Sequence, residues 1–261
     1  MQPEYTAYQH SPHAQVACAD CHIGPGAEWF VKSKLSGAWQ LVSVAFDLYE
    51  RPIPTPVHDL RPARETCEQC HWPDKFVGDR LMVRTHYDND EQNTEMKTVL
   101  MVRVGGLQGE ESRGIHWHVD PGNEIRYRSS PDRETIYDVE QRMGDGTIRR
   151  YLPPAQPEDP SAVSDWRVMD CIDCHNRPTH IYQTPERAMD EAIEAGRIDR
   201  TLPYVRREGV RALKQEYASH DEARRGLEAD LATFYEEEYP QVAAERADAI
   251  RQAGIVLGDI Y

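Results

Sequence analysis

Cys18-Ala19-Asp20-Cys21-His22, Cys67-Glu68-Gln69-Cys70-His71 and Cys171-Ile172-Asp173-Cys174-His175 are three copies of one short pattern, Cys-x-x-Cys-His. This pattern is the attachment signature of c-type haem. Two thiols three positions apart can form thioethers with the two vinyl groups on one porphyrin edge, and the following histidine then binds the iron. The sequence therefore predicts three covalent haem c groups. They would be attached through all 6 cysteines of the chain, Cys18, Cys21, Cys67, Cys70, Cys171 and Cys174, with His22, His71 and His175 as iron ligands.

Other uses of paired cysteines fit these motifs less well. A zinc ribbon combines two Cys-x-x-Cys hooks into four ligands, and three hooks do not pair evenly. A redox Cys-x-x-Cys is normally single and belongs to a βαβ context. A disulfide framework is typical of short secreted chains, whereas this chain has 261 residues.

The composition narrows the class of partner. The formal net charge is -15, from 45 acidic and 30 basic residues. Such a chain is not expected to bind nucleic acid or an anionic membrane surface, and it suits a basic redox partner protein. Hydrophobic residues make up 39% of the chain and Phe occurs only 4 times, which is little for a core of this size. Three porphyrins would add much of the apolar surface that the core of this chain otherwise lacks.

The start of the chain has no basic and apolar leader, and its most apolar run, Leu41 to Phe46, is too short to cross a bilayer. Covalent haem attachment in bacteria nevertheless implies the far side of the inner membrane. We therefore expect a periplasmic or other extracytoplasmic location. We also expect the printed chain to be a processed product or a fragment.

The pattern of apolar residues predicts an α+β protein with a mainly helical haem core and a β-rich insert between the second and third motifs. Residues 1–78 carry two motifs and a helix whose apolar face contains Leu35, Trp39 and Phe46, a candidate haem wall. Residues 79–152 read as strands, among them 80–87, 96–104, 115–119, 124–128, 136–141 and 147–151. Residues 153–261 carry the third motif and helices, the first capped by Thr184 and the last over 241–253.

The sixth ligand of each iron has to come from outside the motifs, where the histidines are His10, His13, His58, His86, His116, His118, His180 and His220. His180 follows His175 too closely to reach the opposite face of the same porphyrin, so we expect it to bind a neighbouring haem. His116 and His118 alternate around Trp117 and would share one face of a strand, so we expect at least one to be a ligand. His58 and methionine are alternatives, and His86 and His220 are expected on the surface.

Several stretches together resemble a branch of the NapC/NirT family of multihaem c-type cytochromes: residues 3–8 (PEYTAY), 11–14 (SPHA), 18–26 (CADCHIGPG), 51–56 (RPIPTP), 66–73 (TCEQCHWP), 114–118 (GIHWH) and 171–180 (CIDCHNRPTH). The resemblance implies a membrane-anchored electron carrier that faces the periplasm and oxidises quinol. It also implies a preceding membrane helix and an earlier haem, and we expect the printed chain to be a fragment without them. At the matching positions of this chain, the resemblance implies His13, His118 and His180 as iron ligands, in addition to His22, His71 and His175.

The function that we predict is electron transfer through three low-spin haems, in a quinol-linked respiratory chain, without bond chemistry. One alternative is a haem reductase with an open iron site, near which Arg103, Arg126, Arg128 or His116 could bind an oxyanion. The other alternative is a structural subunit of a cytochrome complex or filament.

Overall fold

The computed structural model describes residues 2–50, 63–72, 76, 78–105, 114–119, 122–154 and 163–261. The chain divides into two compact units. The first unit contains Met1–Arg80 and Val102–Ile181, and it carries all three motifs. The second unit contains Leu81–Met101 and Tyr182–Tyr261.

The helices of the first unit are α1 (Gln2–Gln9), α2 (Cys18–His22), α3 (Ala27–Ala45), α4 (Ala63–Cys67) and α5 (Cys171–Cys174). The three shortest lie at the motifs: α2 and α5 lie within the first and third, and α4 ends at the first cysteine of the second. In the second motif, the helical turn continues beyond α4, because the amides of Cys70 and His71 both donate to the carbonyl of Cys67. A helical turn places residues three positions apart on one side, which is the arrangement that a two-thioether attachment requires.

A four-stranded antiparallel sheet supports the third motif. Its strands are β3 (Asn123–Ser129), β4 (Ile136–Met143), β5 (Ile148–Tyr151) and β6 (Arg167–Val168), in the order β5-β4-β3-β6. Three of the strands were predicted. The fourth, β6, was not predicted, because a strand of only two residues shows no alternation. Tyr127 lies opposite both Val139 and Arg167, so the two-residue strand is registered against the middle of β3.

The other two strands, β1 (Asp79–Tyr87) and β2 (Glu95–Arg103), form a separate hairpin. The central part of this hairpin belongs to the second unit, so the β-rich residues 79–152 do not form one insert as predicted. The physical reason is the burial of the hairpin's end among the C-terminal helices. Tyr87 joins their core, and the fully buried amide of Asn93 donates to the carbonyls of Arg200 and Leu202.

The helices of the second unit are α6 (Pro185–Glu194), α7 (Val205–Leu213), α8 (His220–Glu238), α9 (Pro240–Glu245) and α10 (Ala247–Ile260). Thr184 caps α6 as predicted, because its hydroxyl accepts a hydrogen bond from the amide of Arg187. The single helix expected over 241–253 is instead two helices that meet at Arg246. The guanidinium of Arg246 forms an ion pair with Asp199, which holds the chain in place between α9 and α10.

The prediction of a strand over 115–119 is wrong, because Trp117–Val119 is a 3-10 helix. Its turn begins at Gly114, whose φ of 110° lies in a region that side chains disfavour. A Cβ atom at Gly114 would lie 2.6 Å from the Cα atom of Gly105, so two backbone segments touch there. His116 and His118 therefore do not lie on a common strand.

The apolar face that was predicted as a haem wall lies on helix α3 and on Phe46, the residue that follows its last turn. Leu35, Trp39 and Phe46 all have more than half of their surface exposed. Patches of this kind are unusual on a monomer and mark binding surfaces. Among the described residues, no helix combines the length and the apolar character that crossing a membrane requires.

Candidate haem-binding site

The three motifs lie together in the first unit, where α2 contacts α4 and α4 contacts α5. The thiols of Cys67 and Cys171, which come from different motifs, interact directly. A hydrogen bond between them lowers the pKa of Cys67 to about 7 and raises the pKa of Cys171. Burial raises the pKa of Cys21, and the nearby Cys67 adds to this effect. All three attachment points therefore converge on one region.

Asp170 joins two of the motif helices. One oxygen of its carboxylate accepts from the amide of Cys171 at 2.6 Å and caps α5. The other oxygen accepts from the amide of Ala63, at the start of α4, at 2.7 Å. One carboxylate thus satisfies backbone donors of two helices that lie 107 residues apart in the chain, and it fixes the spacing between the second and third motifs.

Asp173, inside the third motif, ties this motif to the sheet. Its carboxylate accepts from the hydroxyl of Tyr127 on β3 at 2.7 Å and from Arg167 on β6 at 3.3 Å. It also accepts from the amide of Asp170, which completes a capping box. Arg167, on β6, thus links the sheet to the third motif.

Each motif histidine has a second imidazole nearby. The ring centroids of His71 and His13 lie 6.0 Å apart, those of His22 and His180 lie 6.3 Å apart, and those of His175 and His116 lie 6.4 Å apart. A metal–imidazole bond is about 2 Å long, so two rings on opposite sides of one iron have centroids about 6 Å apart. The three pairs therefore have the separation that one iron between them requires, which fits haem at each motif.

The second imidazole of each pair is held in one tautomer. The Nδ1 atoms lie 3.1 Å from the carbonyl of Pro178 for His13, 2.9 Å from that of Glu4 for His180, and 3.1 Å from that of Val104 for His116. A carbonyl can only accept, so each Nδ1 carries the proton. Each Nε2 then keeps a lone pair for a metal, which is the orientation usual for metal-binding histidines.

The structure distinguishes between the two histidines of residues 114–118. His116 faces His175 and stacks on Phe76, with the ring centroids 4.5 Å apart and the planes 14° apart. His118 lies behind it, 6.2 Å from His116. Burial lowers the pKa of His118, and His116 adds to this effect. The resemblance gave His118 as the ligand, whereas the geometry favours His116.

The remaining histidines lie elsewhere. His10 is exposed after α1, His86 lies in β1, and His220 begins α8, where it contacts Tyr261. His58, the alternative ligand, lies outside the described residues. Across the described ranges, no three metal-ligating side chains form a cluster. An iron held by a porphyrin needs only two ligands from the protein.

The arginines named for a reductase site are engaged in ion pairs. Arg126 pairs with Glu140 at 2.5 Å and Arg128 with Asp138 at 2.6 Å, both across β3 and β4. Arg103 lies 3.9 Å from Asp79. The guanidinium groups of Arg126 and Arg128 also stack on Trp166. Arg126 and Arg128 thus link β3 to β4, and Arg103 lies on the separate hairpin.

Sequence reasoning missed the residues that position the ligands. Asp170, Tyr127 and Phe76 do so through hydrogen bonds or stacking, and Glu4 and Pro178 do so through backbone carbonyls. Only Asp170 has a local signal, because aspartate directly before a short helix is a common N-cap. The others become neighbours of the site through contacts distant in sequence.

The chain is 46% identical to "Cytochrome c-type protein ImcH" of Geobacter sulfurreducens, over an alignment of 265 residues that covers all of this chain and 52% of the relative. The chain thus spans about half the length of the curated relative it matches. No family model matches the chain, and no solved structure matches it. Similarity to a c-type cytochrome over the whole chain agrees with the three Cys-x-x-Cys-His motifs, and together they support a c-type cytochrome.

Proposed function

We propose that this chain is a multihaem c-type cytochrome that relays electrons through three low-spin haems, each held between two imidazoles. The observation that carries the proposal is the set of opposed pairs His22–His180, His71–His13 and His175–His116, at 6.0 to 6.4 Å. When bound, haem c supplies an iron that changes its oxidation state by one electron. With two histidines on each iron, no position is open for a substrate.

The closeness of the motifs supports a relay. Cys67 and Cys171 would each form a thioether to a different porphyrin, and their sulfur atoms are hydrogen-bonded. The hydrogen bonds of Asp170 to both motif helices hold this spacing. The side chains of Leu35 and Trp39 on α3, and of Phe46 at its C-terminal end, are exposed and would offer apolar surface to a porphyrin.

We propose that the chain is part of a longer, membrane-associated protein. This protein would work outside the cytoplasm in a quinol-linked respiratory chain. The resemblance to the NapC/NirT family and the similarity to a longer c-type cytochrome support this setting. The net charge of -15 suits a basic redox partner protein.

The proposal is tested on protein produced with the haem attachment machinery. Its mass under denaturing conditions should include three covalent haems. The reduced protein should bind no CO, because each iron already has two protein ligands. His116→Ala should bind about one equivalent of CO, whereas His220→Ala, the control, should bind none. Stoichiometric CO binding by the wild-type protein would instead support the reductase alternative.

A further inference from the structure

The ligand pairs of the first and second motifs are crossed in sequence. His180 faces the first motif, but it comes from the segment that follows the third motif. His13 faces the second motif, but it comes from the segment that precedes the first. The sixth ligand of each of these two irons would thus come from a segment outside its own motif.

These two segments are hydrogen-bonded to each other through the imidazoles themselves. His13 donates to the carbonyl of Pro178, two residues before His180. His180 donates in return to the carbonyl of Glu4, in the helix that leads to His13. Each ligand is therefore oriented by the segment that carries the other ligand. We call this pair of contacts the clasp.

Both sides of the clasp are stiff. The hydroxyl of Tyr8, on α1, lies 2.7 Å from the carbonyl of Ala14 and 3.0 Å from that of Val16, so it fixes the turn that contains His13. The backbone bond from His10 to Thr6 continues α1 into this turn. On the other side, Pro178 restricts the backbone next to His180. A displacement at one end of the clasp is therefore transmitted to the other end.

We propose that His13 and His180 are positioning residues for each other's haem site, so that the first and second sites acquire their sixth ligands together. The inference rests on the proposed function, because it requires iron at both sites. Its consequence is that the two sites respond as a unit. Removing the Nδ1 donor at one site changes the ligand geometry of the other.

His116 provides the internal control. Its Nδ1 donates to Val104, and its ring stacks on Phe76. Neither of these residues belongs to a segment that carries another proposed sixth ligand. The third site therefore acquires its sixth ligand independently of the clasp.

The test uses electron paramagnetic resonance (EPR) of the fully oxidised holoprotein, in which each haem gives its own low-spin signal. Met can bind iron but cannot donate from a ring nitrogen. His180→Met should change two signals, those of the first and second sites, and His116→Met should change only one. A single changed signal in His180→Met overturns the clasp. Two changed signals in His116→Met would also overturn it, because they would show that perturbations spread between haems without the clasp.

If His180→Met does not fold, Tyr8→Phe takes its place. This variant loosens the turn at His13 without touching a ligand. It should shift the signals of the first and second sites and leave the third unchanged. A shift of the second signal alone overturns the clasp. Failure of the proposed function looks different, because the wild-type protein would then lack the three low-spin signals.

Discussion

His116 and His175 face each other with their ring planes only 7° apart, whereas His13 and His71 face each other with their planes at 81°. The third pair, His22 and His180, is intermediate at 48°. All three pairs have nearly the same separation, so the angle between the rings is what distinguishes the sites.

The first prediction follows from these angles. Parallel imidazole planes split the dπ orbitals of a low-spin ferric iron, and perpendicular planes leave them almost degenerate. We therefore expect the His13–His71 site to give the largest principal g value and the His116–His175 site the smallest, in EPR spectra of the oxidised protein. His13→Ala should remove the first of these signals and His116→Ala the second. The reverse assignment would contradict the ring geometry.

The second prediction concerns the reduction potential of the first site. In His180→Met, a thioether would replace an imidazole, and thioether ligation favours the reduced iron. One potential should rise by about 0.1 V or more, within the range of about 0.8 V that axial ligands span. A redox titration followed by visible absorption measures this change. His220→Met, in the second unit, is the matched control and should leave all three potentials unchanged. Unchanged potentials in His180→Met would show that His180 does not bind iron.

The third prediction concerns the junction between two motif helices. Asp170→Ala removes the cap of α5 and leaves the buried amide of Ala63 without its acceptor. The loss of a cap costs about 1 kcal/mol, and an unsatisfied buried donor costs about 1–3 kcal/mol. We expect the free energy of unfolding to fall by about 2–4 kcal/mol, measured by thermal denaturation of the holoprotein. Asp20→Ala changes an exposed aspartate of the first motif and should have little effect. An equal loss of unfolding free energy in both variants would show that Asp170 does not stabilise the junction between the two helices.

The fourth prediction concerns pH and Asp138, a buried carboxylate between β3 and β5. Hydrogen bonds from Arg150 and Arg128 hold the pKa of Asp138 below its usual range. A lowered folded-state pKa stabilises the fold above the unfolded pKa of about 3.9, and this contribution is lost as the pH falls through the folded-state value.

Asp138→Asn should therefore lower the free energy of unfolding near pH 7 by about 2–3 kcal/mol, because it removes the charge of a buried carboxylate that accepts hydrogen bonds from two partly exposed arginines. The difference from the wild-type protein should shrink below about pH 4. Melting temperatures measured across this pH range test both statements, and Asp165→Asn, at an exposed position, is the control. A difference in melting temperature that stays constant down to pH 3 would mean that the charge of Asp138 does not contribute to stability.

The sequence by itself determined the chemistry of the attachment sites, because two thiols and a histidine must be adjacent to meet one porphyrin. It also determined most of the regular elements. The apolar period of α3, the Thr184 cap of α6 and the hairpin from β4 to β5 all depend on neighbours a few residues apart.

The tertiary structure decided which histidines face each other. His13 and His71 lie far apart in sequence, and so do His22 and His180, so no local pattern could pair them. The choice between His116 and His118 depends on a turn at Gly114, which exists because this glycine packs against Gly105. The division into units was likewise decided by burial at distant positions, because Tyr87 and Asn93 find their partners among the C-terminal helices. Local sequence fixes bonding groups and turns, whereas ligand pairing arises from contacts between segments that meet only after folding.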